Sequence, residues 1–480
     1  MRQWMVAAKK ADFYVIAEKF HVDPVVARII RNREVIGEKN IRIYLGGNLS
    51  DLSDPHQMKD MDQLVEILAQ KIRKQVHIRI IGDYDVDGVT SSHLFLTALR
   101  RVGAKVDVVI PHRIQDGYGL SLHLLQQAKE DGVDTILTCD NGIAAIDEIA
   151  WAKAQKMTVL VTDHHAVPFE EHEGRRTEKK SLADAVVNPH QQDCGYPYKE
   201  LCGAGVAWNV IRVLYENYDM DKREAEDLLD FVAMATVCDV MSLTGENRIL
   251  VKEGLKRIRH TKNIGLQALM QACNVQPENI SAYHFGYVLG PCVNATGRLD
   301  TARHALRLFE TGQETEAEEI ARDLVDLNQE RKELTLQGVE MAKKLCEEGG
   351  YENDPVLVLF LPDVHESIAG LIAGRIREMY NRPVFVLTRG EEGVKGSGRS
   401  TENYSMYENM CGCAELFTKF GGHPMAAGLS LPEENVEKFR RKINENCPLT
   451  VEEVCSDIHI DMAMPVGYAS TELVHQFALL

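Results

Sequence analysis

The chain has 480 residues and carries 54 Lys and Arg against 72 Asp and Glu, a formal net charge of −18. A composition of 45% hydrophobic and 26% charged residues is that of an ordinary globular protein, long enough for two to four domains at ~150 residues each. It is too acidic overall to coat itself in nucleic acid, because backbone binding needs Lys and Arg to replace phosphate counterions.

Residues 1–75 are read as a helical segment, in which Met58, Met61, Leu64, Val65, Leu68 and Ile72 recur at helical three-and-four spacing. From 76 to about 310 short apolar runs alternate with helical stretches: IRIIGDYD, KVDVVIP, TILTCD, TVLVTDHH and ADAVVNP are separated by SSHLFLTALRRVG, SLHLLQQAKEDG and AAIDEIAWAKAQK. This order predicts an α/β fold with a mostly parallel sheet flanked by helices. The charged, aperiodic run EEHEGRRTEKK at 170–180 is expected to be a surface loop. Within 311–349, the run from Glu314 to Glu348 has one Gly, no Pro and abundant Ala, Leu, Glu and Lys, which predicts a single long connecting helix. A smaller α/β domain follows at 350–450, with Gly-rich GVKGSGRS and FGGHPMAAGLSL. Residues 451–480 read as the start of a further, truncated domain.

No run approaches the ~18 uncharged apolar residues of a membrane span, and the first twenty residues lack a basic stretch with an apolar core and cleavage site. The eleven cysteines are scattered with no C-x-x-C pair. A cytoplasmic protein with reduced thiols and no membrane attachment is therefore expected.

The chemistry concentrates at the ends of the expected strands: Asp83, Asp85 and Asp87 in GDYDVDG, Asp140 in TCDNG, Asp163, His164 and His165 in VTDHH, and Asp239 after the apolar FVAMATVCDV. Carboxylates this dense beside buried strands cannot all stay ionised without a cation. An oxygen-rich set with one or two imidazoles suits Mn²⁺ or Mg²⁺ better than zinc or calcium. Two such metals bridged by a carboxylate can clamp both oxygens of a phosphoryl displacement. Tyr118, Tyr283, Phe285 and Tyr404 lie near these motifs and are read mainly as core residues. Arg248, Lys252, Lys256, Arg257, Arg259 and Lys262 form a short basic cluster that either lines one helical face or is simply solvated.

GDYDVDGVTSS, TCDNGI, VTDHH and VCDVMS, in this order, resemble the four motifs of the DHH phosphoesterase superfamily. The DYDxDG form of the first motif resembles its single-strand-specific 5′→3′ exonuclease branch. The likeness extends to HRIQDGYGLS, CGAGVAW, GPCVNATGRLD, HESIAGLIAGRI, KGSGRS and FGGHPMAAG, so that a DHH catalytic domain at 76–310 and a DHHA1-type domain at 350–450 are implied. The resemblance implies two divalent metal ions, Mn²⁺ (or Mg²⁺), held by Asp83, Asp85, Asp87, Asp140, His164 and Asp239, with Asp140 bridging. It also implies that Asp163 orients a ligand and that His165 contacts the scissile phosphate. Arg113, Ser397 and Arg399 match residues that receive a 5′-terminal phosphate, and Arg298 matches a DNA-contacting arginine. His423 and His365 add donors to the substrate-binding set, where the glycines of GSGRS and FGGHP let backbone N–H groups approach an anion. The implied activity is two-metal hydrolysis of single-stranded DNA from a 5′ end to 5′-mononucleotides, in repair and recombination. Single-strand-binding protein and a helicase are the implied partners, and an OB-fold is the implied continuation after residue 450. Two alternatives remain open on the sequence: a DHH-family phosphodiesterase of short oligonucleotides or cyclic dinucleotides, and a non-catalytic Cdc45-like replication scaffold.

Overall fold

The computed structural model describes residues 4–113, 116, 117, 119–172, 175–351, 353–390, 393–451, 453 and 458–480. Strand β1 (Trp4–Val6) opens the chain, and helices follow it as far as Arg73. Then come β2 (Ile78–Ile81), β3 (Val106–Val109), β4 (Thr135–Cys139), β5 (Thr158–Thr162), β6 (Phe169–His172), β7 (Arg175–Glu178) and β8 (Ala185–Val187). β2 and β4 are buried along their whole length, as expected of strands covered on both faces. The sheet order is β3-β2-β4-β5-β8, every pair parallel. The chain leaves β2 toward β3 on one side and returns to β4 on the other. The gap beyond the carboxyl ends of β2 and β4 is thus the switch point at which such sheets bind ligands.

Helix Val86–Arg101, which follows β2, is buried on nearly all sides and packs among helices Gly203–Asn217, Leu229–Cys238 and Ala302–Glu310. Its hydroxyls do not strand in that core, because Thr90 Oγ1 and Ser92 Oγ donate back to Val86 O (2.6 Å) and Gly88 O (2.7 Å). The charged run expected as a loop is instead largely an antiparallel hairpin of β6 and β7, with Phe169 opposite Glu178. Phe169, Glu170 and Thr177 are exposed and Glu178 is half-buried, and the run carries no apolar alternation, for which reason its sequence reads as loop.

The smaller domain holds β9 (Leu357–Phe360), β10 (Val384–Gly390), β11 (Gly393–Arg399), β12 (Lys419–His423) and β13 (Ala426–Leu431), in the order β12-β13-β11-β10-β9. β9 and β10 are parallel and the other pairs antiparallel. Ile372, Ala373 and Ile376 of helix Ala369–Tyr380 cover one face over Leu357, Leu359, Val384 and Val386. Phe439 and Ile443 of helix Val436–Glu445 cover the other over Val358, Phe385 and Leu387. The long helix runs over Glu314–Glu348, 35 residues and about 52 Å at 1.5 Å per residue.

The last strand, β14 (Ile458–Ile460), pairs in parallel with β1. The chain accordingly divides into two compact units, one of residues 1–34 with 329–480 and one of Val35–Asn328. The segment 1–75 is therefore not one helical piece: its first 34 residues include a strand and belong with the carboxyl-terminal unit. No helix among the described residues is long and apolar enough to cross a membrane, and the described cysteines are all free thiols.

Candidate metal centre and phosphate-binding residues

The loop after β2 delivers three aspartates in five residues. Asp83 is buried. Asp85 caps helix Val86–Arg101 by accepting Gly88 N–H at 3.0 Å. Asp87, in the first turn of that helix, accepts Gly203 N–H at 2.6 Å and Ala204 N–H at 2.7 Å. Those donors open helix Gly203–Asn217, whose unsatisfied N–H groups and dipole favour an anion. Gly88 is required here, since a Cβ would stand 2.4 Å from Asp83 O.

Asp140 follows β4 in the left-handed region at φ 61°, a conformation that costs a non-glycine residue about 1 kcal/mol. Asn141 holds that turn by donating to Cys139 O (2.9 Å) and across to Ile81 O (3.0 Å), tying together the ends of β4 and β2. After β5, Asp163 Oδ2 accepts Ile143 N–H at 2.9 Å. Its Oδ1 accepts the N–H groups of His164 (2.7 Å) and His165 (3.1 Å) and meets His165 Nδ1 at 2.7 Å. His164 Nε2 then lies 3.1 Å from Asp140 Oδ1, 3.6 Å from Asp239 Oδ2 and 3.7 Å from Asp87 Oδ2. Asp239 reaches it from the carboxyl end of helix Leu229–Cys238. Three groups of donor atoms result, each within 4.8 Å: Asp83, Asp85 and Asp140; Asp87, His164 and Asp239; Asp140, His164 and His165.

The electrostatics are those of a site made for cations. Burial first, then the neighbouring carboxylates, push Asp83 and Asp140 well above the usual carboxylate range. The same causes raise Asp85, and raise Asp239 to about 8. Burial lowers His164, leaving it a neutral ligand. His165 behaves oppositely. Burial would lower it, but the hydrogen bond and charge of Asp163 outweigh that and hold it at about 9. Asp163, though buried, is kept below its ordinary value by His165 and the N–H groups it accepts. Asp83 Oδ1 and His164 Nε2 are buried without a hydrogen-bond partner among the described residues. Buried atoms of this kind are costly unless something else satisfies them. Five carboxylates and one neutral imidazole fit hard divalent cations such as Mn²⁺ or Mg²⁺.

Arg113 and Arg298 stand at the rim of this loop. The Arg113 guanidinium lies over the Tyr84 ring at 4.2 Å, a cation–π contact. Gly297, next to Arg298, meets Tyr84 O so closely that a Cβ would lie 2.4 Å away. In the smaller domain, Ser397, Gly428 and Gly421 form one row across β11, β13 and β12. Arg399, Ala426 and His423 form another, two residues along on the same face. Gly370 makes room for the guanidinium, because a Cβ there would stand 2.9 Å from Arg399 Nη2. His365 caps the turn leading into that helix, with Nδ1 2.7 Å from Ser367 Oγ.

Sequence reasoning missed the groups that carry no diagnostic letter. The N–H groups of Gly203 and Ala204 hold Asp87, and Asn294 Oδ1 accepts Val86 N–H at 3.2 Å. CGAGVAW and GPCVNATGRLD contain these residues, but backbone donors leave no compositional trace. Of the aromatics, Phe285 and Tyr404 are buried as expected whereas Tyr283 is exposed; Tyr118 lies outside the described residues. The basic cluster is largely spent on packing and ion pairs. Arg248 Nε donates to Tyr44 O (2.6 Å), Lys252 Nζ to Leu45 O (3.1 Å), and Arg257 pairs with Glu226 (2.7 Å).

Residues 77–236 match the family model for the DHH family, N-terminal domain, and residues 353–447 match the DHHA1 domain. The chain is 36% identical over 440 residues to the single-stranded-DNA-specific exonuclease RecJ of Haemophilus influenzae, covering 88% of this chain and 74% of that protein. It is 33% identical over 469 residues to the RecJ of Bacillus subtilis, covering 97% of this chain and 58% of that protein. Its structure superposes on the Mn²⁺ complex of RecJ from Thermus thermophilus with a TM-score of 0.83 at 27% identity, over 99% of this chain and 67% of that one. On a manganese-bound exonuclease RecJ the TM-score is 0.69 at 32% identity, over 81% of this chain and 94% of that one.

Proposed function

The chain belongs to the RecJ family of DHH phosphoesterases, and on that membership we propose that it hydrolyses single-stranded DNA from the 5′ end to 5′-mononucleotides with two divalent metal ions. The observation that carries this reading is the set of three overlapping donor groups at the ends of β2, β4 and β5, sharing Asp140 and His164. Asp83, Asp85 and Asp140 would hold one cation and Asp87, His164 and Asp239 the other. When bound, the cations supply Lewis acidity toward the scissile phosphate and make water acidic enough to attack near neutral pH.

The protein's own groups do the rest. Asp163 fixes His165 with Nδ1–H directed at its carboxylate, leaving Nε2–H to donate to a phosphate oxygen as charge accumulates in the transition state. Asp87, anchored by two backbone N–H groups, presents its carboxylate without reorganising. Arg113 in the catalytic unit, and separately Ser397 and Arg399 with His423 and His365 in the smaller domain, supply contacts to substrate phosphate. Arginine's planar fork suits phosphate oxygens. Arg298 holds the strand beside the catalytic loop. The protein works in the cytoplasm in DNA repair and recombination, with single-strand-binding protein and a helicase as partners that supply its substrate.

The test is digestion of a 3′-labelled single strand, a blunt duplex and a dinucleotide with Mn²⁺. Stepwise loss from the 5′ end of the single strand alone, abolished by chelation and by Asp140→Ala, is expected. Shortening from the 3′ end, equal attack on blunt duplex, or preference for the dinucleotide would overturn the reading.

A further inference from the structure

Tyr283 and Tyr287 are 61% and 72% exposed, yet their rings are stacked on each other, with centroids 5.1 Å apart and planes inclined by 22°. Two large aromatic rings held in solvent contribute nothing to the core, and their position in the fold is fixed by what lies beneath. Tyr283 precedes, and Tyr287 sits within, a π-helical turn, Phe285–Leu289, whose end residues Phe285 and Leu289 are fully buried. Such turns concentrate at functional sites.

The turn is bolted to the helix that ends at Asp239. Cys238 Sγ donates to Phe285 O at 3.3 Å, and Gly290 approaches so closely that a Cβ would meet Cys238 Sγ at 2.3 Å. The helix then continues as Gly290–Leu299, where Cys292, Val293, Ala295, Thr296 and Gly297 are buried. Pro291, Asn294 and Arg298 are left partly open. Positions 283, 287, 291, 294 and 298 therefore form one unburied stripe at three-and-four spacing. Its far end touches the catalytic loop, through Asn294 on Val86 N–H and Gly297 on Tyr84 O.

Resting on the exonuclease reading above, we propose that this stripe is the track of the DNA strand on the 3′ side of the scissile phosphate, and that Tyr283 and Tyr287 are its base-stacking platform. The occupant follows from continuity with the catalytic loop: a strand held at Arg298 and leaving along the helix meets the tyrosines next. The eleven helical rises from Tyr287 to Arg298 span about 16 Å, roughly five steps of a stacked strand at ~3.4 Å each. Stacking on aromatic faces is tolerant of sequence, as an exonuclease that removes every nucleotide in turn requires. A dinucleotide is too short to reach the pair.

The experiment uses the full chain with Mn²⁺, a 5′-phosphorylated dinucleotide, a twelve-nucleotide strand, and twelve-nucleotide strands with one abasic site at successive positions. In the wild type the longer strand has the lower KM, and an abasic site at about the third to sixth nucleotide raises it. In the double variant Tyr283→Ala with Tyr287→Ala, the KM advantage of the long strand over the dinucleotide shrinks about tenfold and the abasic effect disappears. The double variant Tyr283→Phe with Tyr287→Phe restores both. An alanine variant with the wild-type ratio, or a phenylalanine variant as impaired as alanine, overturns the platform while leaving the exonuclease reading intact. The platform is likewise overturned if the tyrosines prove necessary only for capture of a protein. A wild type that shortens neither strand overturns both.

Discussion

Asp163 Oδ1 faces His165 Nδ1 at 2.7 Å while accepting the backbone N–H groups of both His164 and His165. One carboxylate oxygen thus fixes the position, the tautomer and the charge of the imidazole that follows it. His165 is held at about 9 by this contact, against a burial that would lower it. Chemistry that uses protonated His165 is fully available below that value and fades as pH rises through it. Asp163→Asn removes the charge but keeps the shape, so His165 falls back toward 6.5 or below. The expected outcome is an alkaline limb of the kcat profile displaced to lower pH, with kcat at pH 8 down roughly 10²–10⁴-fold. An unshifted limb would disprove this role of Asp163.

Asp140 is crowded by Asp87, Asp85, Asp83 and Asp239, so without metal its charge opposes folding. Asp140→Asn is expected to raise the melting temperature of the metal-free protein by a few degrees, since about 1 kcal/mol corresponds to ~2–4 °C in a unit of this size. It should also erase most of the further rise that Mn²⁺ gives the wild type and abolish hydrolysis. Calorimetry with and without chelator checks this; equal melting of the two metal-free proteins would count against a charge-repelled cluster.

Gly203 works from both sides. Its N–H holds Asp87, and a Cβ on it would stand 2.6 Å from Asp140 Cβ. Gly203→Ala should therefore push the two halves of the metal centre apart, at an overpacking cost of about 1–3 kcal/mol. The fold is retained while Mn²⁺ affinity and kcat fall together, as titration calorimetry and steady-state kinetics would register. Unaltered Mn²⁺ affinity would refute the proposed coupling.

Away from the centre, Asp230 is buried and raised to about 6, chiefly by that burial and despite its bonds from Thr261 Oγ1 (2.6 Å) and Phe231 N–H (2.8 Å). The folded state then binds its proton more tightly than the unfolded chain, where it titrates near 3.8. Stability from this group is present below that value and is lost as pH rises through about 6. Asp230→Asn removes the dependence, and its stability relative to wild type should climb by up to ~3 kcal/mol between pH 4 and pH 7. Urea unfolding at several pH values tests this, and a difference that stays flat across them would exclude it.

The parallel sheet and its acidic strand ends were legible because apolar strand runs and the letters D and H carry their meaning locally. Asp85, Asp87, Asp140 and His164 announce a metal by type and position alone. What secures them does not. Gly203 and Ala204 act through their backbones, and Asn294 acts from about 200 residues away. Tyr283 reads as core in the sequence because an aromatic among apolar neighbours gives no sign of facing water. The β6–β7 hairpin and the pairing of β1 with β14 were invisible for a related reason. Exposed strands such as Trp4–Val6 have no buried face to impose a period, and pairing across about 450 residues leaves nothing in either segment alone.

That last pairing sets a timetable for synthesis. β1 leaves the ribosome well before β14 and waits for it, and at ~5–20 residues per second the interval is roughly 20 to 90 seconds. Residues 35–328, a compact unit that contains neither strand, emerge complete in the meantime. For that interval the backbone N–H and C=O groups of Trp4–Val6 lack the ladder partners that β14 supplies, while their side chains are exposed before and after pairing. A chaperone or protease acting during translation would find this segment before its own partner strand exists.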